Sequence, residues 1–434
     1  MKNDFRTVMQ YVFPSIGSML VVYLYVVVDG IFVGRGIGKD ALAAVSLSAP
    51  SIVFITAIVG TMVAGGSTVT AIRLGRGDRR GANDAFMTGV CLTALVSAVA
   101  FAASIFLAEL IALVSGSSAR LFSMTSDYIR WYNVFTPLSA FAACISAFVR
   151  IDGNPQLSFW GMVVGAIFNI FLDWLFVYPL QMGVRGAAIA SGLGQGISLL
   201  LVSLHFVKNM GALRLCRFRP SGKLVVKVLQ RGIPEFVTRL APPITTLCYN
   251  LVVMRTMGEL GVSAYAIIGY ISQISVGIFV GVSSGVQPLI GRSFGQSGKK
   301  GAAYFYRVGM ALNVLLSVGI YLVLLAFGDR ITAVFNSDQE LISTAYSFIR
   351  TYSLSFVVAS VNIILITYFM STKGTWQALT LATLRGVILN SAIILAAPWI
   401  LGECGIWYAI TIAEGITAVV GLFLKNRSDK AIKF

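Results

Sequence analysis

The sequence predicts an all-α polytopic membrane protein with twelve transmembrane helices in two pseudo-symmetric six-helix bundles. Composition predicts the membrane class: 57% of the 434 residues are hydrophobic and 12% are charged, whereas about a quarter of an ordinary soluble domain is charged. The mean hydropathy is accordingly high, at +0.84. The spacing of the apolar stretches predicts the number of helices, and an internal repeat predicts the two bundles.

Twelve apolar stretches are each long enough to cross a bilayer as a helix, which takes about 20 residues at a rise of about 1.5 Å per residue. Their connections are too short to contain a soluble catalytic domain. The first twelve residues lack the pattern of a cleavable signal peptide, so we expect the first helix to be retained. The spans are predicted at residues 12–33, 44–70, 86–107, 130–149, 157–178, 186–207, 233–256, 263–290, 303–327, 348–370, 376–398 and 405–424.

The positive charge is unevenly distributed among the loops. A net charge of +16 is also found in nucleic-acid-binding proteins, but 23 of the 33 Lys and Arg residues lie in the two termini and the even-numbered loops. Only 8 lie in the odd-numbered loops and their edges. The positive-inside rule therefore predicts a multi-pass protein of a bacterial-type cytoplasmic (inner) membrane, with both termini in the cytoplasm. We expect the lipid bilayer as its surroundings and no nucleic-acid partner.

The longest polar stretch divides the chain into two halves. It follows the sixth span and combines seven basic residues with Pro220, Ser221 and Gly222, which is typical of a linker. The predicted organisation is an N-terminal six-helix lobe at 1–207, a basic cytoplasmic linker at 208–231, a C-terminal six-helix lobe at 232–424 and a cytoplasmic tail at 425–434.

The two halves repeat one sequence pattern. With a shift of 220 residues, small residues and a basic pair recur in the loop after the second span of each half. Because six spans is an even number, both halves enter the membrane in the same direction, and we expect an axis along the membrane normal to relate them. The matched positions are Gly75 with Gly295, Arg79 and Arg80 with Lys299 and Lys300, Gly81 with Gly301, Ala82 with Ala302, and Gly89 with Gly309.

Two segments resemble a known transporter family. The run from Val28 to Arg35 resembles the opening of multidrug and toxic compound extrusion (MATE) transporters, and the run from Asn169 to Asp173, followed by Gly186, resembles their fifth and sixth helices. The resemblance covers the whole chain. It implies a V-shaped secondary active antiporter that exports amphipathic or cationic toxic compounds, in multidrug efflux, in exchange for H⁺ or Na⁺ by alternating access. It also implies drug-like small-molecule ligands, no cofactor and a functional monomer.

Polar residues inside spans are candidate transport residues, because an ionised side chain at the bilayer centre costs a few kcal/mol. Asp29 follows Pro14 in the first span, and a proline inside a helix permits a bend. Asn169 and Asp173 share one face of the fifth span, and Ser191 adds a hydroxyl from the sixth. A buried carboxyl exchanges protons, and a cluster of oxygens binds Na⁺. The resemblance associates Asp29, Asn169, Asp173 and Ser191 with cation coupling, although a threonine is usual at the last position.

Four charged residues are candidates in the C-terminal half. Glu235 and Arg239 suit an i, i+4 ion pair, although Glu235 follows a proline and equally suits the negatively charged first turn of a helix. Arg385 lies in the eleventh predicted span and Glu414 in the twelfth. The acids that a sodium-driven branch of the family carries along its seventh and tenth helices are missing from this sequence, which disfavours a sodium site in this lobe.

A substrate cavity is expected between the two lobes, lined by aromatic, amide and methionine side chains that hold flat organic cations. Each of these residues suits a helix core equally well. The candidates are Tyr25, Tyr132, Asn133, Tyr249, Asn250 and Met254. Trp174, Trp399 and Trp407 lie near the ends of spans and are predicted to be interfacial aromatics.

Other function classes fit the sequence less well. His205 is the only histidine, so a metal site with several histidine ligands is excluded and a histidine-based catalytic triad is disfavoured. The sequence also lacks the phosphate-binding loop motif of an ATP-driven pump. We therefore expect no enzyme, and transport energy from an ion gradient. Two alternatives stay open: a flippase of lipid-linked oligosaccharide precursors, for which Arg239 and Arg385 would supply a cationic cavity, and a membrane-embedded enzyme or scaffold.

Overall fold

The computed structural model describes residues 5–216, 218, 221–334, 338–400 and 402–430. Residues 217, 219 and 220 of the predicted linker and residues 431–434 of the predicted tail lie outside this part of the chain. The N-terminal half forms eight helices: α1 (Phe5–Gly36), α2 (Lys39–Gly75), α3 (Arg79–Phe106), α4 (Ala108–Val114), α5 (Phe122–Val134), α6 (Thr136–Ile151), α7 (Pro155–Val177) and α8 (Gly183–Val207).

The C-terminal half is also helical. Its elements are α9 (Gly222–Ala333), α10 (Gln339–Tyr352), α11 (Leu354–Ser371), α12 (Thr375–Thr383), a π-helical turn (Leu384–Ile388), α13 (Leu389–Ile400) and α14 (Gly402–Lys430).

Helix α9 consists of three segments. Gly258 and Gly298 have φ angles of 66° and 65° with ψ near −155° and −152°, a conformation that glycine adopts far more readily than other residues. Buried side chains from all three segments, Tyr249, Phe279 and Leu324, belong to one hydrophobic core. The segments therefore fold back on one another, as the three predicted spans between residues 233 and 327 require.

The helices of the described residues fit a polytopic membrane protein. Nine of them are long and apolar enough to cross a bilayer, and α5 with α6, which meet at a 45° bend, form a tenth candidate span. One of the nine, Leu260–Ala333, has 74 residues and is divided by the break at Gly298. The segment of α9 before Gly258 contains the predicted span at 233–256. The predicted all-α polytopic fold is confirmed.

Two compact units divide the chain. One comprises Phe13–Phe236, and the other comprises Met1–Val12 with Val237–Phe434. The start of α9 therefore belongs to the same unit as helices α2 to α8. The lobes and linker proposed from the sequence, with boundaries at 207 and 232, stay a prediction of domain organisation.

Stacked aromatic rings form the core of the C-terminal unit. Tyr249 stacks on Tyr265 with ring centroids 4.7 Å apart, and Phe348 stacks on Trp407 at 4.1 Å. Trp407 is only 2% exposed, so the prediction of an interfacial role for it was wrong: its face of α14 packs on other helices. Trp174 and Trp399 are exposed, and an interfacial role for these two stays a prediction.

The only histidine of the sequence fixes the chain after α8. The Asp152 carboxylate lies 2.9 Å from His205 Nε2 and accepts hydrogen bonds from the backbone N–H groups of Ala212 and Leu213 at 2.8 and 3.1 Å. Both side chains of the Asp–His pair are buried. His205 is thus occupied in a structural contact that holds residues 211–213 to the end of α6.

Glycines allow α2 to contact the start of α9 directly. A Cβ atom at Gly65 would overlap the carbonyl oxygen of Val228, and one at Gly232 would overlap the carbonyl oxygen of Thr61. The two backbones are therefore in contact, an approach that small residues permit between membrane helices.

We predict that Gly65→Ala lowers the free energy of unfolding by about 1–3 kcal/mol, because backbone atoms must move apart to admit the methyl group. Gly269→Ala is the matched control, since that helical glycine has no neighbour within 4 Å of a Cβ. Thermal unfolding in detergent compares the two variants. Equal melting temperatures would contradict the close contact of α2 with α9.

Candidate functional site

The four residues assigned to cation coupling come from three helices of the N-terminal unit. Asp29 lies on α1, Asn169 and Asp173 lie on α7, and Ser191 lies on α8. Asp173 is 0% and Asn169 3% exposed. The Asn169 Nδ2 group donates a hydrogen bond to Ser191 Oγ across 3.4 Å, a long and therefore weak contact.

Glycines bring α7 and α8 close enough to form this cluster. A Cβ atom at Gly194 would lie 2.7 Å from the Asn169 Cβ atom, and one at Gly165 would lie 2.8 Å from the carbonyl oxygen of Gly194. Any larger side chain at either position would push the helices apart. The small residues around Asn169 thus place its amide beside α8.

The carboxyl groups of Asp29 and Asp173 are neighbours that interact with each other, and Asp173 also interacts with Asn169. Four oxygens have no hydrogen bond of normal geometry although they are buried: Asp29 Oδ1, both carboxyl oxygens of Asp173, and Asn169 Oδ1. None of the ion pairs between described residues includes either aspartate. The cluster is therefore rich in oxygen, acidic and without a basic partner.

Three tyrosines lie near Asp29. Tyr25, Tyr128 and Tyr132 are all within electrostatic range of Asp29, and the rings of Tyr128 and Tyr132 lie 5.9 Å apart. Two of these residues, Tyr25 and Tyr132, are cavity candidates from the sequence. Tyr128 was missed, although its spacing of four residues from Tyr132 on α5 places both on one helical face.

The other predicted cavity residues do not join this cluster. Asn133 is buried, and its Oδ1 lies 3.4 Å from Thr136 Oγ1. Tyr249 is also buried, and its hydroxyl donates to the carbonyl oxygen of Ile406 at 3.2 Å. This conformation places both in the cores of their units. Asn250 is partly buried, and Met254 is 49% exposed.

The predicted bend point, Pro14, lies inside α1, which is one continuous helix. The Ser18 hydroxyl donates to the Pro14 carbonyl at 2.9 Å. A cavity of about 360 Å³ adjoins this part of α1 and is lined by Pro14, Gly17, Phe159 and Trp160 among others. Helix α1 therefore has both a proline and free space beside it at the predicted point of bending.

Arg385 and Glu414 form a buried ion pair in the C-terminal unit. The Arg385 Nε and Nη2 groups donate to Glu414 Oε1 at 3.0 and 2.7 Å, and Asn362 Nδ2 donates to Glu414 Oε2 at 2.6 Å. Arg385 sits in the π-helical turn, a rare element that is frequent at functional sites. Sequence reasoning picked out the two charges but not Asn362. Glu235 and Arg239 both have interaction partners.

Comparison with known proteins identifies the family. The family model described as MatE matches the chain twice, at residues 14–175 and 234–396. The chain belongs to the MATE family. The double match also confirms the predicted duplication, because each copy falls in one half of the chain.

The relatives of this MATE protein include multidrug export proteins named MepA, which align with it over nearly their whole length. It is 22% identical to the multidrug export protein MepA of Staphylococcus saprophyticus over 423 residues, covering 97% of this chain and 93% of the relative. It is 24% identical to MepA of Staphylococcus haemolyticus, covering 98% of this chain and 96% of the relative.

Solved structures share its fold. A MATE protein in complex with MaL6 superposes with a TM-score of 0.93 at 21% identity, covering 98% of this chain and 96% of the other. A MOP superfamily transporter from Pyrococcus furiosus superposes with a TM-score of 0.92 at 22% identity, covering 99% and 96%. The predicted fold class of pseudo-symmetric helical bundles is confirmed.

We predict that Glu414→Gln and Arg385→Gln each destabilise the C-terminal unit by about 3–5 kcal/mol, because each leaves one buried charge without its partner. The double variant Arg385→Leu/Glu414→Leu removes both charges, so it should regain most of that loss. Thermal unfolding in detergent measures all three. A double variant less stable than either single variant would contradict a simple ion pair.

Proposed function

We propose that this MATE protein is a secondary active antiporter that exports amphipathic or cationic toxic compounds in exchange for H⁺ or Na⁺. The observation that carries the proposal is the acid cluster at Asp29 and Asp173. Two adjacent carboxylates that have no basic partner repel each other in a medium of low dielectric constant, so binding a cation lowers their free energy. The four oxygens without hydrogen bonds suit either ion: a carboxyl takes H⁺, and a ring of oxygens takes Na⁺.

The proposed mechanism follows from the binding of a cation to the two carboxylates. A cation that enters down its gradient neutralises the cluster, and a membrane potential of 100 mV adds about 2.3 kcal/mol for each charge that crosses. That amount biases an equilibrium between conformations that differ by a few kcal/mol. We infer that α1 transmits the change by bending at Pro14, since Asp29 and Pro14 lie on this one helix. The inward- and outward-facing conformations would then alternate around the site.

If the drug binds at the same acids as the coupling ion, export of the drug is tied to entry of the ion. Tyr25 and Tyr132 present aromatic rings near Asp29, and such rings attract organic cations. A cationic drug and the coupling ion would then compete for one pair of carboxylates, so each would displace the other. The export activity named for the MepA relatives supports this substrate class. We further propose that the protein acts as a monomer in the cytoplasmic membrane, with both termini inside.

The structure lends less support to the flippase alternative. That alternative depended on Arg239 and Arg385 as free cations in a cavity. Arg385 is neutralised by Glu414, and Arg239 has a partner as well. The acidic cluster in the N-terminal unit also disfavours an anionic lipid precursor as the transported compound.

We predict that Asp29→Asn and Asp173→Asn each abolish efflux of a fluorescent cationic dye. Each change removes the charge that the coupling ion neutralises. Dye export is measured in energised everted vesicles, with the proton and sodium gradients collapsed one at a time by a protonophore and a sodium ionophore. The wild type should lose transport with one of the two gradients, which identifies the coupling ion.

Asp40→Asn is the control variant, because the Asp40 carboxylate is already paired with Arg120 in a partly exposed ion pair. It should export dye as the wild type does. Wild-type rates of dye export in both Asp29→Asn and Asp173→Asn would contradict the proposal that these acids couple transport to an ion gradient. Export that persists without either gradient would overturn ion coupling itself.

A further inference from the structure

A polar cluster lies deep within the predicted membrane spans of the C-terminal unit. Glu414 is at the midpoint of the predicted span at 405–424 and is 2% exposed, and Asn362 of α11 is fully buried. Arg385 lies well inside the predicted span at 376–398. Charged groups at this depth are costly and mark a functional site by default. A purely stabilising role explains them poorly, because apolar residues in place of a buried ion pair often give a protein of equal or greater stability.

Each oxygen of the Glu414 carboxylate has its own donor residue. Arg385 donates from Nε and Nη2 to Oε1 at 3.0 and 2.7 Å, and Asn362 Nδ2 donates to Oε2 at 2.6 Å. The same Nδ2 group donates to the backbone carbonyl oxygen of Glu414 at 2.9 Å. Because a carboxylate only accepts hydrogen bonds, the amide of Asn362 turns its N–H groups towards it. The amide oxygen, Oδ1, is buried and has no hydrogen-bond partner among the described residues.

A second oxygen without a partner lies on the same face of α14 as Glu414. Thr411 precedes Glu414 by three residues, a spacing that puts both side chains on one helical face. Its Oγ1 atom is buried and, within the part of the chain that the structure describes, makes no hydrogen bond. Glu414, Asn362 and Thr411 thus offer a carboxylate, an amide oxygen and a hydroxyl, and oxygen groups of these kinds bind small hard cations.

The N-terminal unit has a cluster of the same chemical groups without a positive charge of its own. Asp29 and Asp173 supply carboxylates, Asn169 supplies an amide and Ser191 supplies a hydroxyl. None of the ion pairs between described residues includes either aspartate. In the C-terminal unit a guanidinium lies against the carboxylate instead. Because arginine keeps its proton at every physiological pH, Arg385 is a permanent cation in that position.

We propose that the C-terminal unit contains a binding site for a small monovalent cation and that the guanidinium of Arg385 occupies it. Without the guanidinium, Glu414 and the Oδ1 atom of Asn362, presented by rotation of the amide, would ligate Na⁺. The π-helical turn carries Arg385 as part of the chain, so this cation does not exchange with ions of the solvent. One consequence rests on the proposed function: the ions of the exchange bind in the N-terminal unit alone.

The test measures thermal unfolding of the full-length Arg385→Ala variant in detergent while Na⁺ replaces N-methylglucamine at constant ionic strength. The pH is alkaline, so that protons compete least. All proteins also carry Asp29→Asn and Asp173→Asn, so the result does not depend on whether that pair couples transport. Saturating Na⁺ should raise the melting temperature of Arg385→Ala by about 5 °C. It should leave the protein that keeps Arg385 unchanged, because the site is already filled.

Arg385→Ala/Glu414→Gln is the matched control, since it lacks the anionic ligand and should not respond to Na⁺. If Arg385→Ala does not fold, Arg385→Met decides the test, because methionine keeps most of the volume of the arginine stem without its charge. A melting temperature independent of Na⁺ in the variants without Arg385 would overturn the proposal. An equal rise in the Glu414→Gln control or in the protein that keeps Arg385 would also overturn it, as would failure of both variants to fold in Na⁺.

Discussion

Two neighbouring carboxyl groups that are withdrawn from water are the constraint on which the account of this protein depends: both oxygens of Asp173 and the Oδ1 atom of Asp29 are buried. An ionised carboxylate taken out of water costs on the order of several kcal/mol unless a partner compensates it. The C-terminal unit solves this problem internally, because Arg385 and Asn362 satisfy Glu414. Asp29 and Asp173 in the N-terminal unit form no such ion pair among the described residues: tyrosines and the Asn169 amide are their neighbours. One unit therefore has a compensated charge, and the other has a site that a cation can fill.

The rest of the N-terminal unit supports that site. Gly165 and Gly194 bring α7 and α8 together and place Asn169 beside Ser191. Helix α1 contributes Asp29 and, fifteen residues earlier, the proline at which we expect it to bend. Asp152 and His205 fix the segment after α8, and glycines let the start of α9 pack on α2. Helices α7 and α8, which hold Asn169, Asp173 and Ser191, are thus closely packed.

Hydropathy predicted the helical fold and the candidate acids because each depends only on local sequence. An acid within an apolar run is visible without any structure, and a spacing of four residues put Asn169 and Asp173 on one face. Partnerships between distant helices were not visible: the pairing of Arg385 with Glu414 depends on how α14 packs against the π-helical turn. The interfacial prediction for Trp407 was wrong for the same reason, since a position near the end of a span does not reveal whether the side chain faces lipid or another helix.

The most direct test of the central claim is an infrared difference spectrum of the purified protein in lipid, recorded during a pH jump with and without Na⁺. The account predicts a carboxyl band that changes on cation binding in the wild type and is lost or altered in both Asp29→Asn and Asp173→Asn. A band that responds to pH alone indicates H⁺, and one that Na⁺ also shifts indicates Na⁺. Identical difference spectra in the wild type and both variants would contradict cation binding at this pair.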